Sequence, residues 1–218
     1  MDYNGALTQY LRLRQTRLEL NTKLTRQLSK KAILKGGRNL GLVRRGTLCF
    51  ETEDETSVLM DYCIHDYREL GRNAVDIYLA RPGLGEEERR VLHAMKMARF
   101  SLFRITEAVR GVGVKTLDLF RQESVFILDV NLGTCAEEGL VLASRVMPLG
   151  DHFTTTGAGL PVDQELFDAI REAVEAWGGA GVFERVAHFS AREQSEFAAI
   201  VLRTCVSGGA SHRVRYEL

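Results

Sequence analysis

Phe103-Arg104-Ile105-Thr106-Glu107-Ala108-Val109 and Val114-Lys115-Thr116-Leu117-Asp118-Leu119-Phe120, joined near Gly111 and Gly113, decide the fold class. Their side chains alternate between apolar and polar, the period of a strand with one buried face. Ser124 to Val130 and Leu140 to Met147 read as two further strands, punctuated by Asn131-Leu132-Gly133 and Gly139. His152 to Gly157 and Leu160 to Val162 close the set. Short strands at such intervals form a small antiparallel sheet, either a meander or a barrel-like curl. Nothing reads as a βαβ unit, which excludes a doubly wound nucleotide-binding sheet. Neither G-x-x-x-x-G-K-[ST] nor G-x-G-x-x-G occurs anywhere in the chain.

Upstream and downstream of these strands the period is helical. From Leu7 to Leu34, one line of leucines runs through Leu7, Leu11 and Leu18, and another through Leu13, Leu20, Leu24 and Leu28. Together they span about half the helix circumference, wider than a coiled-coil seam. Arg12, Lys23, Arg26 and Lys30 fall opposite, and Gly36-Gly37 reads as the stop. Leu40 to Phe50 reads as a short extended piece. The acids Glu51, Glu53, Asp54 and Glu55 suit a helix N-terminus running towards Gly71, and in it Asp61 and His65 share a face. Ala74 to Ala80 reads as a short amphipathic piece before the break at Arg81-Pro82-Gly83, and the segment opened by Gly85-Glu86-Glu87-Glu88 as a further helix. Beyond the strands come a helix from Asp163 to Gly178-Gly179 and another that opens on the capping box Ser190 to Glu193 and stops at Gly208-Gly209. The expected class is α+β, with flanking helices at both ends. The expected organisation is a basic helical arm over 1–38, a mixed module over 39–162 and a C-terminal helical segment over 163–218.

The 218 residues are 45% hydrophobic and 27% charged, an ordinary globular composition that needs no disulfide to hold a core. The zero net charge hides a division. Residues 1–46 hold eleven lysines and arginines against Asp2 and Glu19, a formal +9, leaving −9 for the remainder. Segregation of this kind suggests a polyanionic partner, and the competing reading is a basic arm lying on the acidic body of its own chain. No apolar run approaches a membrane helix, and the N-terminus lacks a secretory pattern, so cytoplasm is the expectation. Cys49, Cys63, Cys135 and Cys205 are at least 14 residues apart. That spacing offers no Cys-x-x-Cys or zinc ribbon, and neither metal nor cofactor is expected.

Three stretches resemble an uncharacterised bacterial domain often found with SEC-C zinc motifs. They are Glu87-Glu88-Arg89-Arg90-Val91-Leu92 through Ser101-Leu102-Phe103-Arg104-Ile105, Thr116-Leu117-Asp118-Leu119, and Leu142-Ala143-Ser144-Arg145-Val146-Met147-Pro148-Leu149-Gly150. The resemblance covers roughly residues 45 to 165 and implies an architecture without an activity. Of the zinc motif, only Cys205-Val206-Ser207-Gly208-Gly209 is similar to its start, and the other ligands are absent.

Enzyme classes find little footing. Asp118 and Asp129 lie in neighbouring strands without the Glu-x-Lys of a metal nuclease, and no G-x-S-x-G elbow occurs. A carboxylate pair for glycoside hydrolysis leaves no local signature. Asp151-His152 with Thr154-Thr155-Thr156 fits a hydrogen-bonded hairpin better than a catalytic loop. The expected function is therefore a non-catalytic interaction or regulatory protein. Arg12, Lys23, Arg26, Lys30, Lys31, Lys35, Arg38, Arg44 and Arg45 are its candidate contacts to a polyanion, nucleic-acid backbone first. About five phosphate contacts imply a log–log salt slope of roughly −4 to −5. The alternative is a protein adaptor or subunit that docks, on another protein or on itself, through the apolar face of the first helix.

Overall fold

A computed structural model describes residues 3–214. Helix α1 (Tyr3–Gln27) gives way at Leu28-Ser29 to α2 (Lys30–Asn39), because the Ser29 hydroxyl accepts from the Ala32 amide at 3.0 Å and starts a new helix. The two glycines expected to end the first helix lie buried inside α2 instead. A β-carbon on Gly36 would stand 2.5 Å from Cys63 Sγ, and one on Gly37 would stand 2.3 Å from Leu48 Cδ2. Gly36 admits the close crossing of the helix that carries Cys63, Gly37 makes room for Leu48 of the following hairpin, and Leu40 and Gly41 make the actual stop. A hairpin of β1 (Val43–Arg44) and β2 (Thr47–Leu48) follows, turning at Arg45-Gly46 with both φ values positive.

Thr52 caps α3 (Glu53–His65), whose acidic first turn complements the helix dipole. This helix ends at His65, before the expected Gly71. Then come α4 (Ala74–Leu79) and α5 (Glu86–Lys96). Five strands follow: β3 (Arg99–Val109), β4 (Gly113–Asp118), β5 (Glu123–Leu128), β6 (Val141–Leu149) and β7 (His152–Val162). Between β5 and β6, Asp129 accepts from the amides of Asn131 and Leu132 and starts α6 (Val130–Cys135), a turn of helix where punctuation was expected. The chain finishes with α7 (Gln164–Gly178), α8 (Val182–Arg185) and α9 (Ala191–Ser207), which Ser190 and Glu193 cap reciprocally.

The strands close into a barrel in the order β3-β4-β5-β7-β6. A ring of five strands cannot alternate direction all the way round, so the expected purely antiparallel sheet is corrected at one seam. There β5 and β7 run parallel, with Ile127 opposite Phe153. Phe103, Ile105, Val114, Val125, Ile127 and Val146 fill the interior. Helices cover much of the outside, so Leu102 and Ala143 point out of the barrel yet are buried under α3, α7 and α9.

Helix α1 is a core element as well as a basic one. Tyr10, Leu13, Arg17, Leu20 and Leu24 form its inward line, and the leucines meet Val75, Leu92, Met95 and Met147. The second line, through Leu11 and Leu18, stays exposed. Residues 3–27, expected to be the bulk of an arm, therefore roof the barrel. Among the described residues no helix is long and apolar enough to cross a membrane.

Candidate anion-binding cleft

The last turn of α3 presents two faces with different work. Tyr62, together with Tyr67 just beyond the helix, turns towards α2 and α9, where a cleft of about 780 Å³ opens. The Asn39 amide, at the end of α2, donates to the Tyr62 hydroxyl at 3.0 Å on its floor. Trp177, at the end of α7, and Ala199 and Ile200 of α9 make an apolar wall. Lys35 holds its ammonium 5.9 Å from the centre of the Tyr67 ring, and Arg203 stands across from it on α9.

The charges of the lining resolve into spent and unspent ones. Glu196 accepts from the Trp177 indole at 3.3 Å and from Arg192 Nε at 2.8 Å. Arg68 is paired with Asp76 at 3.1 Å. Lys35 and Arg203 make no ion pair among the described residues; Lys35 lies over the Tyr67 ring and feels Glu69, which its neighbour Lys31 already holds. Burial raises the Tyr62 phenol above its ordinary value, so it stays a neutral hydrogen-bonding group.

The opposite face of the same turn is locked to the barrel. Arg145 of β6 donates through Nε to Asp61 at 2.9 Å and through its terminal nitrogen to Asp66. Thr156 of β7 donates to the other Asp61 oxygen at 2.6 Å. The expected Asp61–His65 pair is present at 3.9 Å, without a nucleophile beside it. Thr155 donates to Asp129 at 2.6 Å, and Arg17 reaches the Thr155 carbonyl. Thr155 and Thr156 of β7 thus serve acids on neighbouring elements, while the buried Thr154 hydroxyl has no hydrogen-bond partner among the described residues. Asp118 takes Ser101 and the amides of Phe120 and Arg121, while Asp129 caps α6, so each of these acids has a structural task of its own.

Burial raises the Asp66 carboxyl from 3.8 to about 7, against the pull of Arg145. Burial also pushes the His65 imidazole down from 6.5 to about 4. For Asp61, burial is the largest single influence and works upward, but the Arg145 guanidinium, His65 and the hydrogen bonds from Thr156 and Arg145 together outweigh it and hold the group below its ordinary value. The signs of the first two oppose each other. Asp66, raised on folding, contributes stability that is full at low pH and fades as pH rises to about 7. His65, lowered on folding, contributes stability that is full above 6.5 and fades as pH falls to about 4. Relative to wild type, Asp66→Asn should therefore lose stability steadily between pH 6.5 and 4. His65→Gln should gain it over the same interval, each difference approaching about 1.4 kcal/mol per pH unit at most. Urea midpoints measured across that range check both; parallel curves for the two variants would refute the assignment.

The candidate contacts read from the sequence divide. Arg12 pairs with Glu87 at 3.0 Å, Lys23 with Glu88 at 2.7 Å, Lys31 with Glu69 at 2.9 Å and Arg44 with Glu51 at 2.8 Å. In these places the basic segment lies on the acidic body of its own chain, with Arg12 and Lys23 of α1 facing the acidic first turn of α5. Among the described residues, Arg26, Lys30, Lys35, Arg38 and Arg45 make no ion pair. At 100° per residue, Lys30, Lys31, Lys35 and Arg38 fall within roughly 140° on the outer face of α2. Arg203, Trp177, Tyr62 and Arg145 escaped the sequence reading, for each stands alone in a stretch whose pattern only announces a helix or a strand.

One group of three metal-capable side chains lies among the described residues, at Glu51, Glu55 and His212. Its atoms are already engaged. Glu51 meets Arg44 and His212, and Glu55 accepts from the Glu51 amide at 2.6 Å and the Ser211 hydroxyl at 3.2 Å. It fastens the C-terminal turn to the start of α3. Cys63 and Cys205 are buried, each thiol pushed up to about 12 by burial, and both act as small apolar groups.

Residues 5–177 match the model of a family of unknown function, DUF7986. The chain belongs to that family. The DUF7986 match runs from α1 through the barrel to Trp177, so it contains the Arg145 network and the α2–α3 side of the cleft, while α9 lies beyond it. No curated protein and no solved structure matches the chain.

Proposed function

We propose that this protein is a non-catalytic cytoplasmic binding protein that engages a polyanion, nucleic-acid backbone first, through the outer face of α2. One observation carries the reading. Once the chain's own acids have neutralised Arg12, Lys23, Lys31 and Arg44, five cations of the basic segment without an ion pair among the described residues, Arg26, Lys30, Lys35, Arg38 and Arg45, lie on α2 or in the stretches that flank it, while Arg14 and the buried Arg17 stay on α1. Cations held on a helix face without acidic partners can displace the counterions of a phosphate chain. The resemblance to bacterial domains accompanying SEC-C zinc motifs belongs to the same proposal. The stretches behind it are used here for α5 and for the barrel strands β3, β4 and β6.

About four contacts predict a log–log salt slope near −3 for single strands. The triple variant Lys30→Gln, Arg38→Gln, Arg45→Gln should bring it to about −1, with the circular dichroism spectrum unchanged. Arg12→Gln with Lys23→Gln should leave the slope alone, because those groups are spent on α5. Fluorescence anisotropy of a labelled oligonucleotide over a salt series gives both values. An unaltered slope in the triple variant, or absence of binding at low salt, refutes the proposal. The second reading, docking on a protein through α1, draws on the exposure of Leu11 and Leu18.

A further inference from the structure

We infer that the cleft between α2, α3 and α9 is a binding site for a nucleoside phosphate, a small anion carrying a flat ring. This goes beyond the polyanion reading, which uses the outer face of α2 and requires no cavity. The volume of about 780 Å³ lies within the range of small-molecule sites. The lining is divided as such a ligand requires. Trp177, Tyr67 and Ile200 offer aromatic and aliphatic surface for a ring. Asn39, Tyr62 and Ser195 supply neutral donors and acceptors at the floor.

The electrostatics then choose the sign and size of the ligand's charge. The lone acid of the lining, Glu196, is saturated by Trp177 and Arg192. Arg68 is neutralised by Asp76, which leaves Lys35 and Arg203 as the charge the cleft shows to a ligand. Two cations on opposite walls, one on α2 and one on α9, match a phosphate monoester better than a carboxylate. The guanidinium of Arg203 suits bidentate phosphate binding, and the ammonium of Lys35 adds a point charge. A neutral nucleoside would lose the charge term, and inorganic phosphate would lose the ring.

The chain holds a single tryptophan, and it lines the cleft, so its fluorescence reports on this site alone. Titration of the full chain with uridine 5′-monophosphate should change Trp177 emission saturably. Uridine and inorganic phosphate should each bind at least about tenfold more weakly. Lys35→Gln and Arg203→Gln, both at exposed positions, should each weaken the nucleotide about tenfold or more without altering the fold. Lys30→Gln with Arg38→Gln, outside the lining, should leave nucleotide affinity unchanged while lowering the oligonucleotide salt slope. Failure of the cleft and failure of the α2 face are thereby told apart. A flat titration with uridine 5′-monophosphate at roughly millimolar concentration overturns the inference. So does binding that neither Lys35→Gln nor Arg203→Gln weakens, or inorganic phosphate binding as tightly as the nucleotide.

Discussion

Replacing Arg145 with methionine is expected to cost about 3–5 kcal/mol of folding stability at neutral pH. The guanidinium is buried and bridges Asp61 and Asp66, both held on the last turn of α3. Removing it leaves the Asp61 carboxylate without its counter-charge and pushes Asp66 towards its neutral form, and a buried charge without a partner is among the costliest defects a fold can carry. Against a total stability of about 5–15 kcal/mol, the variant should be marginal or unfolded at pH 7. Acidification should restore part of the loss, because protonation removes the charges that Arg145 had balanced. Adding Asp61→Asn and Asp66→Asn to Arg145→Met should recover more than half of it at any pH. Chemical denaturation at two pH values checks this. A loss below about 1 kcal/mol, or one indifferent to pH, would show that the three groups are not coupled as the geometry implies.

The second large effect concerns α1. Leu24 is wholly buried and packs in the cluster that joins α1 to α4, α5 and β6. Leu24→Ala should cost about 2–5 kcal/mol through lost transfer energy and the cavity left behind. Leu11→Ala, on the same helix but 54% exposed, should change stability by less than about 0.5 kcal/mol. Removal of residues 1–27 should abolish cooperative unfolding altogether, since it strips one wall from that cluster. A truncated chain that unfolds cooperatively at the wild-type midpoint would return α1 to the status of a separable arm.

These two sites show where the sequence is transparent. Alternation was legible from Phe103 onwards because Arg104, Thr106 and Ala108 face solvent there, whereas Phe100 to Phe103 are buried whichever way they point. The strand's first residues, starting at Arg99, were therefore invisible in the sequence. Caps at Asp163 and Ser190 are local chemistry and were readable for that reason. Gly36-Gly37 misled, because a glycine pair that admits close neighbours, here α3 at Gly36 and Leu48 at Gly37, looks identical in sequence to one that ends a helix. The parallel seam depends on the number of strands in a closed ring, which no window of residues reveals. The cationic segment was visible as composition, but its division into spent and unspent charges required Glu69, Glu87 and Glu88 to be placed beside it. The cleft is assembled from residues 35 to 203, and single residues at such separations carry no pattern.

Hydrogen–deuterium exchange of the full chain, with and without a short single-stranded oligonucleotide at low salt, tests the central claim most directly. Protection is expected over residues 30–39 of α2 and the flanking turn at Arg45, and not on α9 around Arg203. Protection on α1 around Leu11 and Leu18, or none at all, would contradict an anion-binding face on α2.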